Sequence, residues 1–334
     1  MRLIKLLKRL WYPAEFLFGR IGLSRGTPPE GPPVIDPYLG YATPDELILR
    51  GRVLSALRRF APEPEQSRWV NFLQMLALFL TDEVAHVVVK ADGERTVTDS
   101  EGYFTLRLPR NGNETGWHGV TAQVSGQPAS AATVEALVPP PGPGIAVITD
   151  IDDTVMETGA YSLVRNLWTS LTGNALTRHV FPDAVELLTR LAEGGGPVFY
   201  VSSSPWNLHH FLTRVLERHG APRGPLFLRD FGLTSRRFLN RKRGDHKSLA
   251  IDAILAAHPD RRFVLVGDTG QHDPHVYLEA ARRHPGRIAG VILREPGRGP
   301  DRRDRRDMAA LREMGLRVES GRDYREILSG ADWV

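Results

Sequence analysis

Short runs of β-branched and aromatic residues alternate with helix-like segments from about residue 145 onward. The runs that predict strands are residues 145–149, 198–202, 263–267 and 288–293. The segments with helical periodicity between them are residues 184–192, 208–219 and 248–257. Apolar strands separated by helices are typical of a parallel sheet that is covered on both faces. The pattern therefore predicts an α/β fold with a doubly wound parallel sheet for residues 145–334.

The middle part of the chain, residues 38–137, is rich in strand patterns. The predicted strands are residues 47–54, 84–91, 96–99 and 103–108, and one helical stretch is predicted at 66–80. The turn at 98–104 resembles that of small transthyretin-like or carboxypeptidase-regulatory-like β-sandwiches. No acids, histidines or hydroxyls there have catalytic spacing, so we expect a β-sandwich-like accessory domain.

Two stretches rich in proline and glycine, residues 25–37 and 138–144, divide the chain. Proline fixes its own φ and favours extended backbone before it, so neither stretch can be helical. We therefore predict four units along the chain. They are an N-terminal helix with a linker at 1–37, the β-rich domain at 38–137, a linker at 138–144 and the α/β domain at 145–334.

Residues 1–23 are predicted to form a basic amphipathic helix. At about 100° per residue, its cations fall on one side and apolar residues fill the rest. The cations are Arg2, Lys5, Lys8 and Arg9. This pattern is typical of an interfacial membrane anchor, but a helix that packs on the protein's own surface has it too. A cleaved signal peptide is disfavoured because Lys5 and Lys8 interrupt the hydrophobic region that it needs.

Composition narrows the classes of function. The net charge is only +4, from 43 Lys and Arg against 39 Asp and Glu, which is too small to indicate a nucleic-acid partner. Cysteine is absent, which excludes disulfides, thiolate metal sites and cysteine nucleophiles. No apolar run is long enough for a transmembrane helix. We expect a cytoplasmic protein, either free or peripherally bound to a membrane.

Two carboxylates, Asp150 and Asp152, directly follow the first predicted strand of the α/β domain. Carboxylates this close raise each other's pKa unless a cation or a division of roles relieves the repulsion. A divalent metal would supply the cation. In a division of roles, Asp150 would attack phosphorus as a nucleophile while Asp152 gives and takes protons. The alternative is a helix-capping turn, since Asp and Thr also begin helices.

Polar side chains follow later strands of the same predicted sheet. Ser202 ends the second strand, and Lys247 lies at the head of a helix, where an ammonium could neutralise a phosphate and Asp150. Asp268 and Asp273 lie beyond another buried strand. Ligands of such sheets bind beyond the carboxyl ends of the strands, so these groups are expected to meet at one edge. Mg²⁺ prefers oxygen ligands and keeps several waters, so one or two carboxylates and a phosphate suffice to hold it.

The order Asp-x-Asp-x-Thr, strand-final Ser, Lys and Gly-Asp-x-x-x-x-Asp resembles the haloacid dehalogenase superfamily of Mg²⁺-dependent phosphotransferases. The resemblance covers about residues 145–293. Within it, the strings DIDDTV, YVSSSPWNL, APRGPLFLRDFGL, HKSLAI and GDTGQHDP are similar to the actin-patch-associated phosphatidate phosphatase family. The catalytic domain of that family is related to the lipins. Residues 38–54 are similar to an N-terminal extension found in bacterial-looking members.

The resemblance implies a role for each motif residue. Asp150 would be the nucleophile that forms an aspartyl-phosphate, and Asp152 the general acid/base that also offers its carbonyl to Mg²⁺. The substrate-binding residues would be Thr154, Ser202, Ser203 and Lys247, and the metal-binding residues Asp150, Asp152, Asp268 and Asp273. The roles of Asp153 and Ser203 stay open.

The leading hypothesis from the resemblance is a Mg²⁺-dependent phosphatase acting on phosphatidate or a related lipid phosphomonoester at an anionic membrane surface. A phosphatase of a soluble phosphomonoester or a phosphorylated polymer is the alternative. The arginine-rich stretch 294–306 fits either, although its mixed charge is also typical of a solvated helix face. A catalytically inactive scaffold is a third hypothesis, against which the complete set of acids argues. Residues 164–171 carry apolar side chains at helical spacing. They would either face lipid or form part of the protein's hydrophobic core.

Overall fold

The computed structural model describes residues 31–56, 83–110, 112, 114–157, 179–229 and 243–328 of the chain. Three sequence predictions lie outside these residues. They are the amphipathic helix at 1–23, the helix at 66–80 and the apolar stripe at 164–171. No helix within the described ranges is long and apolar enough to cross a membrane.

Seven strands form the first sheet, which we call the N-terminal sheet. They are β1 (Val34–Ala42), β2 (Glu46–Leu54), β3 (Val88–Ala91), β4 (Glu94–Val97), β5 (Tyr103–Pro109), β6 (Gly116–Val124) and β7 (Gln127–Val138). Their order is β4-β3-β6-β7-β1-β2-β5, and the pairs are antiparallel except β1 with β7. In β5 the strand alternation buries Phe104, Leu106 and Leu108 and exposes Thr105 and Arg107.

The seven strands hydrogen-bond as one sheet, because β1 pairs with β2 on one side and with β7 on the other. The edge strands β4 and β5 contact each other, so this sheet folds back on itself, and the β-sandwich-like arrangement stays a prediction. One boundary differs from the sequence prediction. The linker predicted at 25–37 is too long, since β1 already begins at Val34. Pro37 fits within β1 because only Gly40 and Tyr41 pair with β7, so its missing N–H lies outside that pairing.

Thr98 explains why the strand predicted at 84–91 begins four residues late, at Val88. Its hydroxyl donates to the carbonyl of Val84, 3.1 Å away, and accepts from the N–H of Val87, 3.0 Å away. His86 has a φ of 57°, in the left-handed region. These side-chain bonds add to two backbone bonds, from the His86 N–H to the Thr98 carbonyl at 3.2 Å and from the Thr98 N–H to the Val87 carbonyl at 2.9 Å. The strand predicted at 96–99 is also displaced and spans Glu94–Val97.

Six strands form the second sheet, which we call the parallel sheet. They are β8 (Gly144–Asp150), β9 (Val198–Pro205), β10 (Leu226–Arg229), β11 (Arg261–Asp268), β12 (Ile288–Arg294) and β13 (Arg317–Gly321). Their order is β10-β9-β8-β11-β12-β13, and every pair is parallel. This part of the chain is therefore mixed α/β with a parallel sheet, as the sequence predicts.

Helices cover both faces of the parallel sheet. They are α1 (Pro182–Ala192), α2 (His209–Arg218), α3 (Arg243–Ala257), α4 (Asp273–Arg283), α5 (Arg302–Glu313) and α6 (Tyr324–Leu328). Val147 of β8 packs in one core cluster with α1, α2 and α6, while its neighbour Ile148 packs in the other cluster with α3, α4 and α5. Successive strand residues point to opposite faces, so both must be apolar.

The charged stretch at 302–306 begins helix α5, which Asp301 caps by accepting from the N–H groups of Arg303 and Asp304. The arginines of this helix start are exposed, as a solvated helix face requires, whereas Asp304 and Asp307 are buried. Arg294, at the start of the same stretch, is also buried.

His258, directly after α3, should make the stability of the protein fall in acid. Its ring lies 5.0 Å from that of Phe199, and burial, with Arg261 and Arg287 nearby, lowers its pKa to about 4. The unfolded chain therefore takes up a proton at this residue between about pH 6.5 and 4 that the folded protein resists, so stability decreases as the pH falls. Chemical denaturation across this range should show a shallower loss for His258→Leu than for the parent. Parallel curves would contradict the expectation.

Candidate active site

Four charged side chains converge at the carboxyl-terminal edge of the parallel sheet. Asp150 is the last residue of β8, Asp268 is the last of β11 and Asp273 is the first of α4. Lys247 lies in the second turn of α3. All four are at most 5% exposed. The parallel strands bring these groups together because their carboxyl ends share one edge of the sheet.

Lys247 pairs with two of the three carboxylates. Its Nζ lies 2.8 Å from Asp150 Oδ1 and 2.5 Å from Asp273 Oδ1. Burial lowers the pKa of Lys247, but Asp150 and Asp273 outweigh burial and hold that pKa above its usual range. Burial raises the pKa of Asp150 and Asp268, and the ammonium of Lys247 opposes this rise. One cation thus faces three buried carboxylates.

The three carboxylates suit a divalent metal ion. One carboxylate oxygen from each of Asp150, Asp268 and Asp273 lies within 4.8 Å of the other two. A single ammonium leaves the cluster with excess negative charge in a buried position, which is costly without a further cation. Carboxylate oxygens are the ligands that hard cations prefer. The donor set therefore fits a divalent ion held by oxygen.

The carboxylate of Asp152 has separate partners. Its Oδ2 accepts from the hydroxyl of Ser202, 2.6 Å away, and from that of Ser204, 3.3 Å away. The N–H of Ser204 in turn donates to Ser202 Oγ at 2.9 Å. Asp153 has a φ of 58°, so the chain turns sharply directly after Asp152. The two neighbouring acids are thus divided between a cation cluster and a pair of hydroxyls.

Gln271 is a site residue that the sequence analysis missed. Its Nε2 donates to the backbone carbonyl of Asp152 at 2.8 Å and to Asp268 Oδ2 at 3.3 Å. It therefore links the turn after β8 to the loop after β11. The only signal in the sequence is an amide inside the string GDTGQHDP.

Gly267 is needed because the site is crowded at the end of β11. A Cβ at this position would lie 2.5 Å from Asp273 Oδ2 and 2.6 Å from Tyr277 Oη. The N–H of Asp268 donates to the same oxygen of Asp273 at 3.2 Å. A larger residue at position 267 would displace Asp273 from Lys247.

Arg294 links the turn that carries Thr154 to Asp183. Its place in an arginine-rich stretch of the sequence did not indicate this role. Its Nε donates to the carbonyl of Thr154 at 3.1 Å, and its Nη2 to Asp183 Oδ2 at 2.7 Å. The guanidinium carbon lies 4.1 Å from the ring centroid of Phe181 and 4.2 Å from that of Tyr324. Burial raises the pKa of Asp183, but hydrogen bonds from Tyr324 N–H and Arg294 outweigh it and hold that pKa below its usual range.

The other predicted site residues lie close to these groups. The Thr154 hydroxyl is buried and donates to Asp150 Oδ2 at 3.4 Å. Ser203 is half-buried between Ser202 and Ser204. The structure brings all the predicted site residues to one edge of the sheet. Their individual roles as nucleophile, acid, metal ligand or phosphate ligand stay predictions.

Residues 145–295 match the family described as phosphatidate phosphatase APP1, catalytic domain. The chain is 30% identical over 153 residues to phosphatidate phosphatase APP1 of Saccharomyces cerevisiae, covering 45% of this chain and 26% of that protein. It is 31% identical over 156 residues to an uncharacterised protein of Schizosaccharomyces pombe, covering 46% of this chain and 25% of that protein. The chain thus spans about a quarter of the length of these relatives.

Solved structures show a more distant likeness. A class C acid phosphatase from Bacillus anthracis with tungstate bound has a TM-score of 0.28 and 16% identity, over 42% of this chain and 60% of that one. A chain of the Pnkp1/Rnl/Hen1 RNA repair complex has a TM-score of 0.29 and 16% identity, over 65% of this chain and 50% of that one. These scores are low, so the family match rests on the sequence.

Proposed function

We propose that the chain is a metal-dependent phosphoric monoester hydrolase, from the premise that residues 145–295, which match the APP1 family indicated by the sequence motifs, form an APP1-like phosphatase catalytic domain. The observation that carries the proposal is the division of Asp150 and Asp152 between different partners at one edge of the parallel sheet. A catalytic nucleophile and a general acid must lie side by side yet keep different protonation states.

Asp150 is the proposed nucleophile. Its carboxylate attacks phosphorus, the bond from phosphorus to the leaving oxygen breaks, and an aspartyl-phosphate forms. Asp152 gives its proton to the leaving oxygen. It then takes a proton from the water that hydrolyses the aspartyl-phosphate, which releases inorganic phosphate and restores Asp150. Lys247 opposes the effect of burial, which raises the pKa of Asp150, and it would neutralise charge on the phosphoryl group.

Mg²⁺ is the proposed ion for the cluster of Asp150, Asp268 and Asp273. Bound there, it would neutralise charge on the phosphoryl oxygens. Gln271 holds the carbonyl of Asp152, which the resemblance assigns as a further ligand, next to Asp268. We assign Ser202, Ser203 and Thr154, with Lys247, to binding of the phosphoryl group. The arrangement fits the haloacid dehalogenase-like fold that the motif order implies.

The proposed substrate is a lipid phosphomonoester, with phosphatidate converted to diacylglycerol. Support comes from the yeast relative, whose name is phosphatidate phosphatase. A lipid substrate requires that the protein meets a membrane surface. Peripheral attachment through the amphipathic segment at 1–23 is the proposed route for an otherwise cytoplasmic protein.

A substrate panel tests both the reaction and the lipid. Purified full-length protein with Mg²⁺ should release phosphate from phosphatidate in mixed micelles faster than from lysophosphatidate, sugar phosphates, nucleotides or phosphopeptides. Chelation of the metal should stop the release. Higher activity on a soluble phosphomonoester would favour the alternative substrate class. No release from any member of the panel, with or without Mg²⁺, would contradict the reaction itself and favour an inactive scaffold.

A further inference from the structure

Trp206, the residue that follows β9, packs against the N-terminal sheet. Its ring stacks on Tyr38 of β1, with the centroids 5.0 Å apart and the planes 8° apart. The guanidinium carbon of Arg50, from β2, lies 5.2 Å from the Trp206 ring centroid, within the range of a cation–π attraction. Because Trp206 is only four residues beyond Ser202, the two sheets meet next to the candidate active site.

Arg50 also connects the two sheets through hydrogen bonds. Its side chain is buried, and its Nη2 donates to the carbonyl of Leu39 in β1 at 2.6 Å and to that of Leu226 in β10 at 3.1 Å. Its guanidinium also lies over Tyr41 and Phe227, at 5.3 and 4.5 Å. Burial lowers its pKa to about 10, so it stays charged at neutral pH. A charged donor with one acceptor in each sheet fixes their separation.

The contact reaches Asp152 through a short, continuous segment. β9 runs from Val198 to Pro205 and ends directly at Trp206. The two hydroxyls that bond to the Asp152 carboxylate, those of Ser202 and Ser204, lie in its last four residues. A displacement of Trp206 would therefore move these hydroxyls relative to Asp152.

We infer that Arg50 and Tyr38 of the N-terminal sheet are positioning residues for the reaction, because they fix Trp206 and so hold Ser202 and Ser204 against Asp152. The inference rests on the proposed function, in which Asp152 protonates the leaving group. It gives the N-terminal sheet a part in catalysis, although none of its residues belongs to the charged cluster of Lys247.

The leaving group of the substrate separates a positioning role from a merely structural one. An alkyl phosphate needs a proton on its departing oxygen, whereas p-nitrophenyl phosphate releases a stable phenolate that needs little help. A misplaced acid therefore slows the first substrate more than the second. Partial unfolding would reduce the amount of active protein and slow both equally.

The test compares Arg50→Met with the parent on both substrates. With the alkyl phosphate, kcat should fall on the order of 10²-fold, the loss expected for a catalytic group displaced by about 1 Å. With p-nitrophenyl phosphate the loss in kcat should be about threefold or less. Because Ser202 is also assigned to phosphoryl binding, KM should change by the same factor with both substrates. An equal loss on the two substrates, or no loss, would overturn the inference.

Two further variants make the comparison specific. Tyr38→Leu removes the ring stack but keeps Arg50, and it should show the same selective loss of kcat on the alkyl phosphate. If Arg50→Met does not fold, the result for Tyr38→Leu tests the inference instead. Arg223→Gln is the matched control. It removes the ion pair between Glu135 of the N-terminal sheet and Arg223 in the loop before β10, without touching Trp206, and it should leave the ratio of the two rates unchanged.

Amide hydrogen exchange gives a readout that does not depend on activity. Exchange in residues 202–206 should become faster in Arg50→Met and Tyr38→Leu but not in Arg223→Gln. Unchanged exchange in the first two variants would overturn the inference. If the parent is inactive on both phosphates, the proposed function fails instead, and the exchange rates still decide whether Arg50 and Tyr38 hold the Trp206 turn.

Discussion

Replacement of Asp150 by asparagine is expected to lower kcat on any phosphomonoester by at least about 10⁴-fold and to leave the protein folded. An amide of nearly the same volume cannot attack phosphorus. The fold should tolerate the change because burial already disfavours the charged form of Asp150, and because Lys247 keeps its contact with Asp273. Steady-state kinetics and thermal denaturation together measure the two effects.

Asp153→Asn is the matched control for this variant. Asp153 is buried in the same turn with a φ of 58°, a conformation that asparagine also adopts. This control should therefore keep most of the activity. An Asp150→Asn protein with the rate and melting temperature of the parent would show that another group is the nucleophile.

Replacement of Lys247 by methionine is expected to lower the free energy of unfolding by about 3–5 kcal/mol in the absence of metal. The methionine would leave Asp150, Asp268 and Asp273 buried together without any cation from the described residues nearby. Mg²⁺ should restore part of the loss, because an ion that binds only the folded protein stabilises it. Chemical denaturation with EDTA and with Mg²⁺ measures both quantities.

Lys90→Met serves as the control for the Lys247 variant. Lys90 is exposed in β3, so its loss should change stability by no more than about 0.5 kcal/mol, with or without Mg²⁺. A Lys247→Met protein as stable as the parent in EDTA would contradict the charge balance described for the cluster. A loss that Mg²⁺ does not reduce would argue against a metal at these carboxylates.

The sequence was sufficient to predict the parallel sheet and to group its polar strand ends. Buried strands need apolar residues on both faces, so their runs are continuous and easily recognised, and parallel strands must end at a common edge. Asp150 and Asp268 could therefore be placed together without any coordinates. The phosphatase family could also be predicted, because short motifs in a fixed order carry it.

The contacts within the site could not be predicted in the same way. The carboxylate of Asp152 bonds to Ser202, fifty residues later, because Asp153 adopts a left-handed conformation that its residue type does not require. Gln271 and Arg294 could not be predicted as site residues, because an amide in a loop and an arginine among other arginines have no distinctive spacing. Their roles depend on which distant segments pack beside them.

The boundaries in the N-terminal sheet were missed for a related reason. Proline at position 37 indicated a linker, but a strand accepts proline where a neighbour does not need its N–H. Likewise, the Thr98 side chain holds the irregular segment before β3 through bonds to Val84 and Val87. Local composition cannot reveal such exceptions, because they depend on which backbone groups the neighbouring segments leave free.

The pairing of β1 with β7 bears on how the chain folds during synthesis. β1 cannot complete its hydrogen bonds until β7 has been made, and only five residues lie between the end of β7 and the start of β8. The whole N-terminal sheet thus leaves the ribosome before any strand of the parallel sheet. Domains generally fold in the order of synthesis. The surface that carries Tyr38 and Arg50 can therefore form first. The turn that contains Trp206, which is synthesised later, can then pack against a surface that is already folded.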